Sequence, residues 1–217
     1  MSAKEVVKRP TEDAGEASVR RRILEAAFSA FMERGFAETS TLEIATRARV
    51  SKRELYAQFG SKQEMLAACI GERAKRLRMP ADWPELGDRE TLARALTSFG
   101  GTMLREISDP TVVAVFRLAI AEAIRAPEAA TALNEAGIAA SRMPLREIMT
   151  RARAAGLLSG EPAEMAEHFF GLLWGSQMMN LLLRVADRPS PREITRRAEV
   201  ATTALLRAYG SALPERG

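Results

Sequence analysis

Residues 39–64 read Thr39-Ser40-Thr41-Leu42-Glu43-Ile44-Ala45-Thr46-Arg47-Ala48-Arg49-Val50-Ser51-Lys52-Arg53-Glu54-Leu55-Tyr56-Ala57-Gln58-Phe59-Gly60-Ser61-Lys62-Gln63-Glu64. Three Ser-x-x-Glu patterns follow one another: Ser40/Glu43, Ser51/Glu54 and Ser61/Glu64. Each has the form of a capping box. The serine oxygen takes a free N–H at a helix start and the glutamate reaches back to the serine N–H. Starts this close predict short helices joined by tight turns. The two around Arg49-Val50 read as a helix-turn-helix, whose second helix enters a DNA major groove.

The apolar side of this pair is Ile44, Ala45, Ala48, Val50, Leu55 and Phe59. Small Ala45 and Ala48 let two short helices cross closely. The polar set of the second helix is Lys52, Arg53, Tyr56 and Gln58. Arg and Lys donate to guanine, Gln pairs with adenine, and Tyr and Lys hold phosphates. Glu54 is explained most simply by capping, with acceptance from cytosine as the other option.

Upstream, residues 1–17 show no periodicity and predict a disordered arm, either a passive tail or a phosphate contact. A helix is expected from Ser18, with Ile23, Ala26, Ala27, Ala30 and Phe31 on one stripe. Gly35 provides its left-handed end and Phe36 the fold-back contact. Arg20, Arg21 and Arg22 cluster at its start. Downstream, a fourth helix runs from Ser61 to about Arg78 as a rigid connector, and Met79–Pro84 breaks the pattern. The expected organisation is therefore arm 1–17, DNA-binding head 18–62, connecting helix 63–80, and a ligand-binding and dimerisation domain 81–217.

Composition agrees with an all-α chain. Ala, Leu, Glu and Arg dominate, aromatics are 6% and apolar residues 47% of 217. Residues 1–62 hold 12 Lys/Arg against 9 Asp/Glu, residues 63–80 hold 4 against 2, and the remainder 16 against 17. The excess positive charge thus lies in the first 80 residues, as in a basic module joined to a neutral body; ordinary surface charge is the competing reading. A single cysteine (Cys69) excludes an internal disulfide, and a single histidine (His168) argues against metal and acid/base chemistry. No secretory signal and no membrane span is read, so a cytoplasmic protein without cofactor or metal is expected.

Residues 88–213 read as further helices: about 88–107, 110–125, 127–153 with a kink at Pro144, 161–186, and a last one from Ser190 to about Tyr209. The 110–125 pattern wraps most of the way round and predicts a central helix. An apolar cavity lined by Met103, Phe116, Ile120, Met143, Trp174 and Met178 is one reading; plain core packing is the other. Glu164 and His168 are i, i+4 partners. One histidine cannot supply the two Glu-x-x-His pairs of a di-iron bundle.

Arg22-Ile23-Leu24-Glu25-Ala26-Ala27, Phe31-Met32-Glu33-Arg34-Gly35-Phe36, Thr39-Ser40, Ile44-Ala45, Ala48-x-Val50-Ser51, Leu55-Tyr56-x-x-Phe59 and Ser61-Lys62 resemble the N-terminal signature of the TetR family of bacterial transcriptional repressors. The match covers about residues 20–66. Phe116-Arg117-Leu118, Glu122-Ala123, Pro127-Glu128 and Ala155-Gly156-Leu157-Leu158 resemble the C-terminal domain of the AefR-like subgroup, which often controls efflux or stress genes. The resemblance implies a three-helix head followed by a larger helical domain that binds a small effector and dimerises. It places Thr41 and Lys62 at phosphates, and Lys52, Arg53 and Tyr56, with Ser51 and Gln58, on the DNA-facing helix. Glu54 stands where the family often has Gly or Thr. The resemblance also implies a dimer interface of the last two long helices as a four-helix bundle, with His168, Gly171, Gly175, Met179 and Leu182 as its candidates. A monomer with a fully buried helix 163–185 is the alternative there.

The expected partners are a palindromic double-stranded DNA operator, a small, largely apolar effector and a second copy of the chain. An activator with the same head remains open. A helical enzyme acting on an apolar substrate lacks every catalytic set looked for: glycine loop, Ser/His/Asp, metal cluster and paired carboxylates.

Overall fold

The computed structural model describes residues 10–75 and 83–210, with side chains from residue 15 onward. Its helices are α1 (Pro10–Glu38), α2 (Thr41–Ala48), α3 (Lys52–Gln58), α4 (Lys62–Ala74), α5 (Arg89–Ile107), α6 (Pro110–Glu122), α7 (Pro127–Leu133), a π-helical turn (Asn134–Ala139), α8 (Ala140–Ala154), α9 (Pro162–Trp174), α10 (Gln177–Leu182) and α11 (Pro191–Tyr209). The chain is all-α; among the described residues the only β pairing is an isolated antiparallel bridge, Leu158 with Gly210.

Two compact units emerge. One joins the chain up to Gly71 with Leu118–Ala132; the other joins Glu72–Arg117 with the chain from Leu133 onward. The expected connector 63–80 is thus divided at Gly71, and its stretch 76–80 lies outside the described residues. So does the first half of the expected arm, 1–9. The second half differs from expectation: α1 begins at Pro10, not at Ser18. A proline at the first helical position costs no intrahelical hydrogen bond.

In the first unit the predicted stripe of α1 is buried at Ile23, Ala27, Ala30 and Phe31. Gly35 ends its regular run at φ 80°, ψ 167°, a backbone region that only glycine enters without strain. Phe36 folds back on Phe31 with ring centroids 5.4 Å apart. Buried Thr39 closes the turn: its Oγ1 lies 2.7 Å from Gly35 O and 3.1 Å from Ala30 O, to either of which it can donate. Ile44, Ala45, Ala48, Leu55, Phe59, Met65, Leu66, Cys69 and Ile70 complete this core.

In the second unit α5, α9 and α11 pack together through Leu92, Leu96, Phe99, Met103, Phe169, Leu173, Ala198 and Leu205. At Gly100 a Cβ would stand 3.1 Å from Leu173 Cδ1 and 3.3 Å from Phe169 Cζ. A side chain there would have to push both neighbours aside. Thr97 donates to Thr202 between α5 and α11 at 3.1 Å. The single helix expected over 161–186 is two. Gly175 takes φ 47°, ψ −129° and separates α9 from α10. Apolar content continues through the break, so periodicity alone does not reveal it.

Candidate DNA-reading face and ligand cavity

The turn between α2 and α3 is held at both ends. Ser40 accepts from the Glu43 N–H at 3.1 Å and starts α2. Arg49 ends it in the left-handed region (φ 55°, ψ 49°), and Val50 donates back to Ala45 O at 3.0 Å. Ser51 then starts α3 with a complete box: Glu54 N–H donates to Ser51 Oγ at 3.1 Å, and Ser51 N–H donates to Glu54 Oε2 at 2.8 Å. The Glu54 carboxylate is thereby committed to the cap. Bonds from Ser51, backbone first, hold it below the usual range. Glu43 does not reach back in this way; its carboxylate pairs with Arg47 at 2.7 Å and Arg34 at 3.3 Å. At Ser61 the serine half of the box is present, with Glu64 N–H donating at 3.0 Å.

The consequence is a short helix whose outer side is polar. Ser51, Lys52, Arg53 and Tyr56 are exposed, Gln58 half-buried, and Leu55 is turned into the core. The Ser51 hydroxyl is spent on the cap. The Tyr56 and Thr41 hydroxyls lie 3.2 Å apart, bringing the first turn of α2 beside α3. Arg20, read in the sequence only as part of a basic cluster, braces this helix. Its guanidinium stacks 4.4 Å from the Phe59 ring centroid and donates to Gln58 O at 3.3 Å. Arg47 ties α2 to α1 through Glu33 at 2.8 Å, and this bond lowers the Glu33 pKa from 4.5 to about 2.

Lys62 is half-buried. Its ammonium lies 4.4 Å from the Phe36 ring centroid and donates to Ala37 O at 3.3 Å. Burial lowers its pKa, against the opposing pull of Glu122 and Glu38. Glu122, in the same unit, is buried, and its Oε2 accepts no hydrogen bond among the described residues; Arg125 stands 4.0 Å away. Glu122 enters the sequence reading only as part of the C-terminal resemblance: a glutamate at a helix end gives no sign of being buried.

The second unit contains a cavity of about 230 Å³ lined by Ile107, Phe116, Ile138, Ser141, Arg142, Phe170, Trp174 and Met178. Three expected lining residues meet here: Phe116, Trp174 and Met178. Three do not. Met103 is fully buried in the core, whereas Ile120 and Met143 are 59% and 70% exposed. Their helical stripes are wider than the cavity, so i, i+3, i+4 spacing places them near the right face without saying which end is capped by solvent. Ile120, and Ile124 beyond it, are exposed, so the far end of the expected central helix 110–125 has a solvent side. Of the residues missed, Ser141 and Arg142 follow Ile138 at i+3 and i+4, and Phe170 precedes Trp174 by one turn of α9.

The candidate interface residues are divided by the break at Gly175. Gly175 is the cap of α9, its N–H donating to Gly171 O at 3.0 Å, so the pair lies on the last turn of α9 and not within one continuous helix to 186. Gly171 and His168 are exposed, Met179 is 57% exposed, and Leu182 is half-buried. Leu172, Leu183 and Val185 add exposed apolar surface nearby in sequence. His168 Nδ1 hydrogen-bonds the Tyr209 hydroxyl, which also lies 3.5 Å from Glu164 Oε1. Burial, then the Glu164 charge, pushes the Tyr209 hydroxyl above its ordinary pKa. Among the described residues, no group of His, Cys, Asp and Glu is placed to hold a metal ion, and no helix is long and apolar enough to cross a membrane.

Comparison with known proteins adds the following. Residues 23–69 match the model of bacterial regulatory proteins of the tetR family. Residues 94–211, more than half of the chain, match the C-terminal domain of AefR-like transcriptional repressors. Among solved structures, a TetR-family transcriptional regulator from Mesorhizobium loti is 27% identical, with 90% of this chain and 98% of that one covered and a TM-score of 0.75. The flavonoid-responsive regulator FrrA is 29% identical, covering 93% and 100%, also at 0.75. A TetR regulator from Agrobacterium tumefaciens is 28% identical over 88% and 95%, at 0.70. No curated protein matches the chain closely enough to count as a relative.

Proposed function

Because the chain belongs to the TetR family of bacterial regulatory proteins, a family of DNA-binding transcription regulators rather than enzymes, we propose that it is a repressor that binds a palindromic operator as a homodimer and leaves it when a small, largely apolar effector binds. The observation that carries this reading is the exposed Lys52, Arg53 and Tyr56 set on a seven-residue helix fixed by a full capping box. Lys52 and Arg53 read base edges; Thr41, Tyr56 and Lys62 hold phosphates, with Ser51 and Gln58 at the margins. Each head of the dimer takes one half-site, so the half-sites lie about 34–36 Å apart or at a multiple of that. Occupying them excludes RNA polymerase.

The effector site is the cavity beside Phe116, Trp174 and Met178, and the similarity to FrrA, a flavonoid-responsive regulator, supports a small-molecule effector here. The dimer forms through the exposed apolar surface of α9 and α10, including His168, Gly171, Gly175, Met179 and Leu182. Effector binding favours a dimer state whose heads no longer match successive grooves, with α4 as the lever. Shifting the balance from 1:99 to 99:1 takes about 5.5 kcal/mol of differential affinity. The controlled genes are of the efflux or stress kind.

A gel-shift titration against DNA flanking the protein's own gene tests this. Binding that weakens steeply as salt rises is expected, since phosphate contacts release counterions. No binding to any flanking fragment at low salt would defeat it.

A further inference from the structure

The cavity of the second unit carries one charged side chain among mostly apolar walls. Three of its residues are aromatic (Phe116, Phe170 and Trp174), and Met178 is an adaptable thioether. Flat walls of this kind favour a flat ligand. Its one charged lining residue is a cation, Arg142. That guanidinium lies 5.7 Å from the Phe170 ring centroid, and its Nε pairs with Glu167 Oε1 at 3.2 Å. Among the described residues its Nη atoms make no hydrogen bond, so the outer edge of the fork is available to a second anion. Glu167 and Arg142 are both about half exposed, so their pair is a weak rival for it. Ser141, next to Arg142, is buried, and its hydroxyl donates to Ile138 O at 2.8 Å. It therefore offers only lone pairs inward and adds no second donor. Ile138 itself stands in the π-helical turn, a distortion that recurs at binding sites.

Size narrows the class further. An apolar cavity of about 150 Å³ accommodates benzene. At the same filling, about 230 Å³ takes roughly nine to twelve non-hydrogen atoms. That is one substituted ring or a short fused pair within the walls.

We infer that the cavity takes a small aromatic carboxylate, its ring against Phe116, Phe170 and Trp174 and its carboxylate in a two-pronged pair with Arg142. The inference deepens the effector reading above and rests on the same cavity. A two-pronged Arg–carboxylate pair is more directional than a neutral contact, and two charge-assisted bonds outweigh the single Glu167 contact at Nε. The acid is thereby separated from its uncharged analogues.

The experiment compares benzoate, 4-hydroxybenzoate and cinnamate with methyl cinnamate and the three-ring naringenin. Binding is read by quenching of Trp174 fluorescence in a Trp83→Phe background and by thermal shift on the unaltered full-length protein. The acids are expected to bind, with cinnamate at least about tenfold tighter than its methyl ester. Arg142→Gln should erase that ratio and leave the ester unchanged. Equal affinity for acid and ester would overturn the inference. So would naringenin binding tighter than every acid, or no acid binding by about 1 mM. If Arg142→Gln does not fold, the acid-to-ester ratio in the unaltered protein decides alone. Acids that bind with the expected ratio yet leave operator affinity unchanged would uphold the ligand class and defeat the release mechanism, so the two failures are told apart.

Discussion

The DNA-reading face and the ligand cavity solve opposite problems. The face is a seven-residue helix whose useful groups point into water, held by one serine–glutamate box, one left-handed arginine and one cation–π brace. The cavity is enclosed by residues from α5, α6, the π-helical turn, α8, α9 and α10. The Lys52 and Arg53 side chains can be removed without disturbing what holds the helix. A group in the cavity wall is also part of the core. Substitutions should therefore separate recognition from stability in the first unit and entangle them in the second.

The largest test of that contrast is Phe169→Ala, in the α5/α9/α11 core next in sequence to the lining residue Phe170. Phe169 is fully buried, and emptying such a site costs about 3–5 kcal/mol. Thermal unfolding should shift down by roughly ten degrees, while operator affinity measured well below that transition stays within about twofold. An operator affinity that falls in step with stability would erase the distinction. Next is Lys62→Ala. It should weaken specific and non-specific DNA alike, by about tenfold, and reduce the slope of log affinity against log salt by about one. A change in sequence preference would mean Lys62 reads bases. Ser51→Ala removes the cap of α3 and should cost about 1 kcal/mol, seen as a lower denaturant midpoint. An unchanged midpoint would mean the box does not hold the helix.

The smallest effect is set by pH. The Arg47 bond holds Glu33 at about 2 instead of 4.5. A depressed carboxylate contributes its stability above its unfolded value and loses it as pH falls toward the folded one. Between about pH 4.5 and 2 the protein should lose slightly more stability than Glu33→Gln does. Parallel melting curves for the two would remove Glu33 from the account.

The head was legible in sequence because its determinants are local. A cap, its glutamate and a turn lie within four residues of each other, so Ser51/Glu54, the buried Leu55 and the Gly35 end could be read directly. Even there the reading overreached: Glu43 has the spacing of a cap but finds Arg34 and Arg47, which side-chain reach across helices decides. The cavity was half legible. Phe116, Trp174 and Met178 fell on the right stripe; Ile120 and Met143 shared the periodicity but face solvent. Arg142 was passed over because an arginine on an amphipathic helix looks like ordinary surface. Gly175 shows the same limit: its spacing from Gly171 suggested a packing groove, whereas its positive φ makes it a break.

The central claim is that Lys52 and Arg53 on α3 carry operator recognition. A protection footprint on the DNA flanking the gene, with the unaltered protein and with Lys52→Ala/Arg53→Ala, tests it most directly. The account predicts an inverted repeat protected at half-sites about one helical turn apart or a multiple of that. Protection should vanish in the double variant while its oligomeric state and melting temperature hold. A footprint that survives both substitutions would contradict it.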